Sequence, residues 1–296
     1  MNVLRLLSRL IRTTDLVSPR LAGRLAARLW FTPPQRRPRP VLGDISELTF
    51  TVDGRPLWAF SAGEGREIVL LVHGWGSSAD RLAHFVGPLT EAGFRVVGVD
   101  LPAHGRNSGR QTDPVELAGA VRAITEQLGG VHAIVAHSMG AFATILAMAD
   151  GLEPERVVFI APLVRVESAL RTFRQALNLP PRTAGELERR LKRRFGESMF
   201  SDFALDRLAK EFDTTEALIF HDPDDIEAPY QDAEALAAAW KTASLVEVSG
   251  LGHHGILRNG AVVNRTMRFI SAGRPHPGRP ESIPIWKRPP TPVLSG

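Results

Sequence analysis

Ile134-Val135-Ala136-His137-Ser138-Met139-Gly140-Ala141 is an apolar run that ends abruptly in a serine between small residues. An apolar run of this length fits a buried strand. A serine at the sharp turn from such a strand into a helix stands exposed above the sheet, where its hydroxyl can act as a nucleophile. The reversal needs small residues two positions either side of the serine, because larger side chains would collide there. Ala136 and Gly140 meet that demand. The reading predicts a strand over 131–136, a helix over 140–150, and Ser138 between them.

The same alternation extends outward from this point. Short runs rich in valine and isoleucine lie at Glu67–Val72, Phe94–Val99, Val157–Ile160, Ala217–Phe220 and Ser244–Val248. Stretches with helical spacing fall between most of them, at 80–92, 113–128, 230–242 and 259–271. Continuously apolar strands alternating with helices predict a mostly parallel, twisted sheet with helices on both faces. Ser46–Val52 alternates like an exposed strand, and Pro56–Ala62 is its expected hairpin partner across Asp53-Gly54. Residues 164–214 break the pattern. They contain no strand candidate, and helical ones such as Ala184–Phe195 and Phe203–Phe212, which predicts a helical lid inserted over the sheet. Leu177, Leu179, Met199, Phe200 and Phe203 in this insertion either line an acyl pocket or pack the insertion onto the body.

Composition narrows the chemistry. The 296 residues are 44% hydrophobic and 23% charged, ordinary for a globular chain with a sizeable core. There is no cysteine, so disulfides, thiolate metal sites and a cysteine nucleophile are all excluded. The net charge of +4 is unevenly spread. Residues 1–40 carry nine arginines against Asp15 alone, a net of +8. Residues 272–296 add +3, which leaves −7 for residues 41–271. A mildly acidic body argues against nucleic acid as a partner.

The basic start has its own pattern. Leu4, Leu7 and Ile11 fall on one side of a helix, with Arg5, Arg9 and Arg12 on the other. Leu21, Leu25 and Leu29 run beside Arg20, Arg24 and Arg28 at four-residue spacing. No apolar run here is long enough for a secretory signal or a membrane span. Three readings stay open for residues 1–30: a peripheral arm resting on an anionic membrane surface, a helix docking on its own domain with a solvated arginine face, and an organelle transit peptide. The expected location is cytoplasmic, with or without that membrane contact. Four prolines among Arg36, Arg37 and Arg39 make residues 33–40 a stiff linker. The expected organisation is an arm and linker over 1–40, a domain over 41–271 with its lid at about 164–214, and a proline-rich tail over 272–296, disordered or draped on the surface.

A serine nucleophile needs a base, a carboxylate to orient that base, and N–H donors for the developing oxyanion. Each has a candidate just after a predicted strand. They lie in His73-Gly74-Trp75-Gly76, in His221-Asp222-Pro223-Asp224-Asp225-Ile226-Glu227-Ala228-Pro229, and in Ser249-Gly250-Leu251-Gly252-His253-His254. In an open parallel sheet the carboxyl ends of the strands share one edge, so these segments converge there.

With these motifs in order the chain resembles the α/β-hydrolase-fold serine enzymes, esterase- and lipase-like, over about residues 46–271. His73-Gly74-Trp75 resembles the family's oxyanion turn, and Asp100-Leu101-Pro102-Ala103-His104-Gly105 its loop after the next strand, with Ala103 where glycine is commoner. The resemblance implies Ser138 as nucleophile, Asp225 as the triad acid, His253 as the base, and the backbone N–H groups of Trp75 and Met139 as the oxyanion hole. Asp224 and His254 are the rival acid and base; the motif spacing favours Asp225 and His253. His73 and His104 are expected to shape their turns, and His137 to move no proton. Asp222 stands where the family usually has glycine. The order Ser, Asp, His is the order of this fold. The implied activity is hydrolysis of a small-molecule carboxylic ester or related acyl bond, with no metal or organic cofactor. Acyl transfer, thioester cleavage and carbon–carbon hydrolysis use the same site, and a non-catalytic binding protein on this fold is a further alternative.

Overall fold

Strands β3 (Ile68–Val72) and β5 (Ala133–His137) are buried along their whole length and pair in parallel, Val69 with Ala133 through Val72 with Ala136. In a computed structural model that describes residues 3–41, 43–197, 212 and 214–273, they form the centre of an eight-stranded sheet. The other strands are β1 (Ser46–Val52), β2 (Arg55–Ala62), β4 (Arg95–Val99), β6 (Arg156–Ile160), β7 (Glu216–His221) and β8 (Ala243–Glu247). Their spatial order is β1-β2-β4-β3-β5-β6-β7-β8. β1 and β2 are antiparallel, as are β2 and β4, and every other neighbouring pair is parallel. The β1–β2 hairpin turns on Asp53 and Gly54, both with positive φ (49° and 71°). That is the primed two-residue turn whose twist matches the strands it joins.

The period-two alternation of side chains sends each strand into two cores. Ile68, Leu70 and Val72 face one, with Leu117, Val121, Phe142 and Trp240. Val69 and Leu71 face the other, with Leu82, Phe85, Leu89 and Val262. The first core is covered by α4 (Pro114–Gln127), α5 (Met139–Ala149) and α8 (Tyr230–Ala239). The second is covered by the 3₁₀ turn Ala79–Phe85, α3 (Val86–Glu91) and α10 (Gly260–Ile270). Each fully buried leucine or phenylalanine in these layers contributes about 1.5–3 kcal/mol from removal of apolar surface from water.

Between β6 and β7 the chain forms α6 (Val166–Ala176) and α7 (Pro181–Phe195). The expected helix over 203–212, apart from Phe212, lies outside the described residues, as do Met199, Phe200 and the proline-rich segment 274–296. Helix α6 was not singled out in the sequence. Two further helices, α1 (Val3–Val17) and α2 (Pro19–Trp30), pack against this insertion. Ala26 meets Leu170, Leu187 and Leu191, and Ile11 and Ala22 meet Leu177. Contact at Gly23 is so close that a Cβ there would stand 2.2 Å from Cγ of Glu186. Thr183 Oγ1 donates to Asp15 at 2.6 Å. Leu177 and Leu179 therefore pack the insertion onto the N-terminal helices, which neither of the two readings open for them anticipated.

Candidate active site

Ser138 sits where β5 gives way to α5, with φ 53° and ψ −120°. A non-glycine residue in this region is strained, and the strain is held by the surrounding packing. Gly140 explains why a small residue follows. A Cβ there would lie 2.5 Å from the His73 carbonyl oxygen and 2.6 Å from that of Val72. The end of β3 and the first turn of α5 thus pack backbone to backbone.

The parallel direction of the strands delivers the other side chains to the same edge. His253, in the short helix α9 (Gly252–Gly255) after β8, accepts from Ser138 Oγ at Nε2, 3.0 Å away. Its Nδ1–H donates to Asp225 Oδ2 at 2.7 Å. Asp225, in the loop after β7, has a fully buried side chain, and its Oδ1 accepts from the N–H groups of Glu227 (2.8 Å) and Ala228 (3.1 Å). Burial alone would push this carboxyl up. The hydrogen bond and charge of His253, with the two backbone donors, outweigh burial and hold it below the usual carboxylate range. Asp224, the rival acid, is exposed, and His254, the rival base, pairs with Glu227 at 3.3 Å. The structure thus joins Ser138, His253 and Asp225 in one hydrogen-bonded chain and leaves their rivals out of it.

Neighbouring groups fix the geometry of His253. Asp222 Oδ2 accepts from the N–H groups of Leu251 (2.6 Å) and Gly252 (2.7 Å), and so clamps the loop that carries His253. His137 Nε2–H donates to the His253 carbonyl at 2.9 Å, with the two rings 4.7 Å apart. Burial drives the His137 pKa well below the ordinary value, so it remains neutral. His73 is fixed by its own hydrogen bonds: Nε2 accepts from Leu101 N–H at 3.0 Å, and Nδ1–H donates to the Gly74 carbonyl at 2.8 Å. Sequence reasoning assigned no task to Asp222 or His137, because their partners are backbone groups far along the chain.

The N–H of Met139 heads the first turn of α5, where no helical acceptor exists. Trp75 follows Gly74, whose Cα approaches so closely that a Cβ would lie 3.0 Å from Cβ of Ser138. Among the described residues the Trp75 N–H has no backbone acceptor.

Ser138 opens into a cavity of about 350 Å³. Gly74, Trp75, Met139 and His253 line it together with Leu163, Ala169, Phe173 and Ala176. Leu29, Trp30, Phe31 and Pro34 from α2 and the linker line it as well. That contribution was not read from the sequence. Such a site can activate a hydroxyl for attack, donate hydrogen bonds to an oxyanion and hold an apolar group beside it.

A family model described as the alpha/beta hydrolase family matches residues 69–266. Among curated relatives, the dihydrolipoyllysine-residue acetyltransferase component of the acetoin cleaving system of Cupriavidus necator is 35% identical over 114 residues, 37% of this chain and 29% of that one. A 2-hydroxy-6-oxononadienedioate/2-hydroxy-6-oxononatrienedioate hydrolase of Klebsiella pneumoniae is 37% identical over 75 residues, 23% of this chain and 25% of that one. The chain thus spans less than a third of the length of either relative. Among solved structures, an esterase of Pyrococcus furiosus superposes with a TM-score of 0.62 at 16% identity, covering 81% of this chain and 97% of that one. A membrane phospholipase A superposes with a TM-score of 0.59 at 18% identity, covering 90% and 92%. The family match runs from the first parallel strand into the last helix of the sheet domain, and the chain belongs to the alpha/beta hydrolase family.

Proposed function

We propose that this protein is a serine hydrolase that cleaves a carboxylic ester through an acyl-enzyme. The observation that carries the reading is the continuous chain Ser138–His253–Asp225, at 3.0 and 2.7 Å, at the base of a largely apolar cavity. His253 Nε2 takes the Ser138 proton as Oγ attacks the acyl carbonyl. The resulting oxyanion accepts from the N–H groups of Trp75 and Met139, and removal of one such donor typically lowers the rate on the order of 10²–10³-fold. The imidazolium returns the proton to the leaving alkoxide, which departs as the alcohol. Water, deprotonated by His253, then attacks the acyl-enzyme and releases the carboxylic acid and Ser138. Asp225 holds the Nδ1–H tautomer and stabilises the imidazolium throughout.

A second reading, carbon–carbon hydrolysis, rests on the curated relatives named as 2-hydroxy-6-oxononadienedioate/2-hydroxy-6-oxononatrienedioate hydrolases. The deciding experiment is hydrolysis of p-nitrophenyl esters of graded acyl length by the wild type and by Ser138→Ala. Turnover that falls by at least about 10³-fold in the variant supports the esterase. Wild-type inactivity across the series, with cleavage of a vinylogous 1,5-diketone, moves the reading to the carbon–carbon bond.

A further inference from the structure

Helix α1 has two apolar sides, and the fold covers only one of them. Ile11 is fully buried and packs with Leu7 against Ala22, Leu25 and Leu177. At 3.6 residues per turn, Val3, Leu6, Leu10 and Val17 lie within about 60° of one another around the axis, away from that contact line. They are 68%, 51%, 49% and 84% exposed. Of the nine large apolar side chains exposed among the described residues, seven belong to α1 and α2, so the exposure is concentrated on one hairpin. Scattered apolar residues need no explanation, whereas a contiguous patch of them marks an interaction surface.

Charge identifies the partner. Arg5, Arg9 and Arg12 are exposed to one side of the stripe, opposite the buried Leu7–Ile11 line, Arg20 and Arg24 are exposed on α2, and among the described residues none of the five has a carboxylate partner. The hairpin's one acid, Asp15, is held by Thr183. An apolar stripe with arginines along one side of it, and no acid opposing them, is complementary to a surface that is apolar below and anionic above. Neither helix is long or apolar enough to span a bilayer.

From this geometry we infer that the α1–α2 hairpin rests on an anionic lipid surface. Its stripe enters the acyl boundary and its guanidinium groups meet the phosphates. α2 runs from that surface into Leu29, Trp30 and Phe31 of the cavity wall, so the element on the lipid is also a wall of the cavity above Ser138. The binding is independent of chemistry at Ser138.

The test is sedimentation of the full-length protein with vesicles of phosphatidylcholine alone and of phosphatidylcholine with phosphatidylglycerol. It is run in about 0.1 M salt, where the Debye length is about 10 Å. At least tenfold stronger binding to the anionic vesicles is expected, weakening as salt rises. The double variant Leu6→Asp/Leu10→Asp should lose that binding at least tenfold. Arg5→Glu/Arg9→Glu/Arg12→Glu should lose the preference for phosphatidylglycerol. All five positions are exposed, and a circular dichroism melt confirms that each variant is folded. Absence of vesicle binding, equal binding to both vesicles, or undiminished binding by the double variant would overturn the inference. So would a wild-type dimer without vesicle affinity that Leu6→Asp/Leu10→Asp turns into a monomer, because the stripe would then face a second copy.

Discussion

Trp30 of α2 and Phe173 of α6 meet edge to face at the cavity, their ring centroids 5.2 Å apart at 87°. This contact joins the N-terminal hairpin to the insertion, and both rings line the cavity beside Ser138. Such a pair contributes about 0.5–1.5 kcal/mol beyond its buried area. Trp30→Ala should therefore lower kcat/KM for the longest accepted acyl ester by about tenfold and leave the acetate ester within about twofold. A uniform loss along the acyl series would show that Trp30 supports the whole site and not its far wall.

Ser138 stores strain that its replacement should release. At φ 53° and ψ −120° a glycine is unstrained, whereas any L side chain is not. Ser138→Gly should be inactive yet more stable than the wild type by about 1 kcal/mol, and Ser138→Ala should remain within about 0.5 kcal/mol of it. Urea denaturation of the three proteins checks this. Equal midpoints for the glycine and alanine variants would contradict the strain.

Asp222 holds the loop of His253 through backbone donors alone, so its loss should act on rate more than on binding. Asp222→Ala should reduce kcat about 10–100-fold with little change in KM, because small misplacements of a catalytic group have effects of that size. Asp222→Asn keeps an acceptor oxygen and should recover part of the rate. If the asparagine variant is as impaired as the alanine variant, charge and not the clamp is what matters.

Acid should destabilise the protein through its buried histidines. Burial lowers the pKa of His73 to about 4 and that of His104 to about 3, and drives His137 well below its ordinary value. The unfolded chain takes up these protons near pH 6.5, whereas the folded one resists until about 4 or lower. Between those limits the unfolded state binds more protons, so stability rises with pH and is lost as pH falls. Asp225 and Asp222, held below the usual carboxylate range, add to the loss at still lower pH. Asp100, raised by burial, acts in the opposite direction. The melting temperature should be level above about pH 7 and drop by several degrees between about pH 6.5 and 4.5. A melting temperature that climbs on acidification would contradict the neutral assignment of these rings.

The parallel sheet was legible because several of its strands are continuously apolar, which burial on both faces explains. Expected and observed strands differ by a residue or two at their ends, as at Val131–Ala136 against Ala133–His137. The convergence of Ser138, Asp225 and His253 was legible for a related reason. Ser138 follows β5 directly, Asp225 lies four residues after β7 and His253 six after β8, and parallel strands carry their following loops to one edge.

What the sequence by itself determined is therefore whatever rests on local spacing: the order of strands and helices and the serine at its turn, while the preference for Asp225 over Asp224 came from the resemblance to the family's motif. Tertiary structure alone decided what depends on partners distant in the chain. Trp30 lies 143 positions from Phe173, and nothing around either residue encodes their meeting. Helix α6 carries the wall that Leu177 and Leu179 were candidates to form, while those two leucines pack against the N-terminal helices. An amphipathic helix reveals that it has an apolar face. Which surface covers that face is settled only by the complementary shape and charge that the rest of the fold presents.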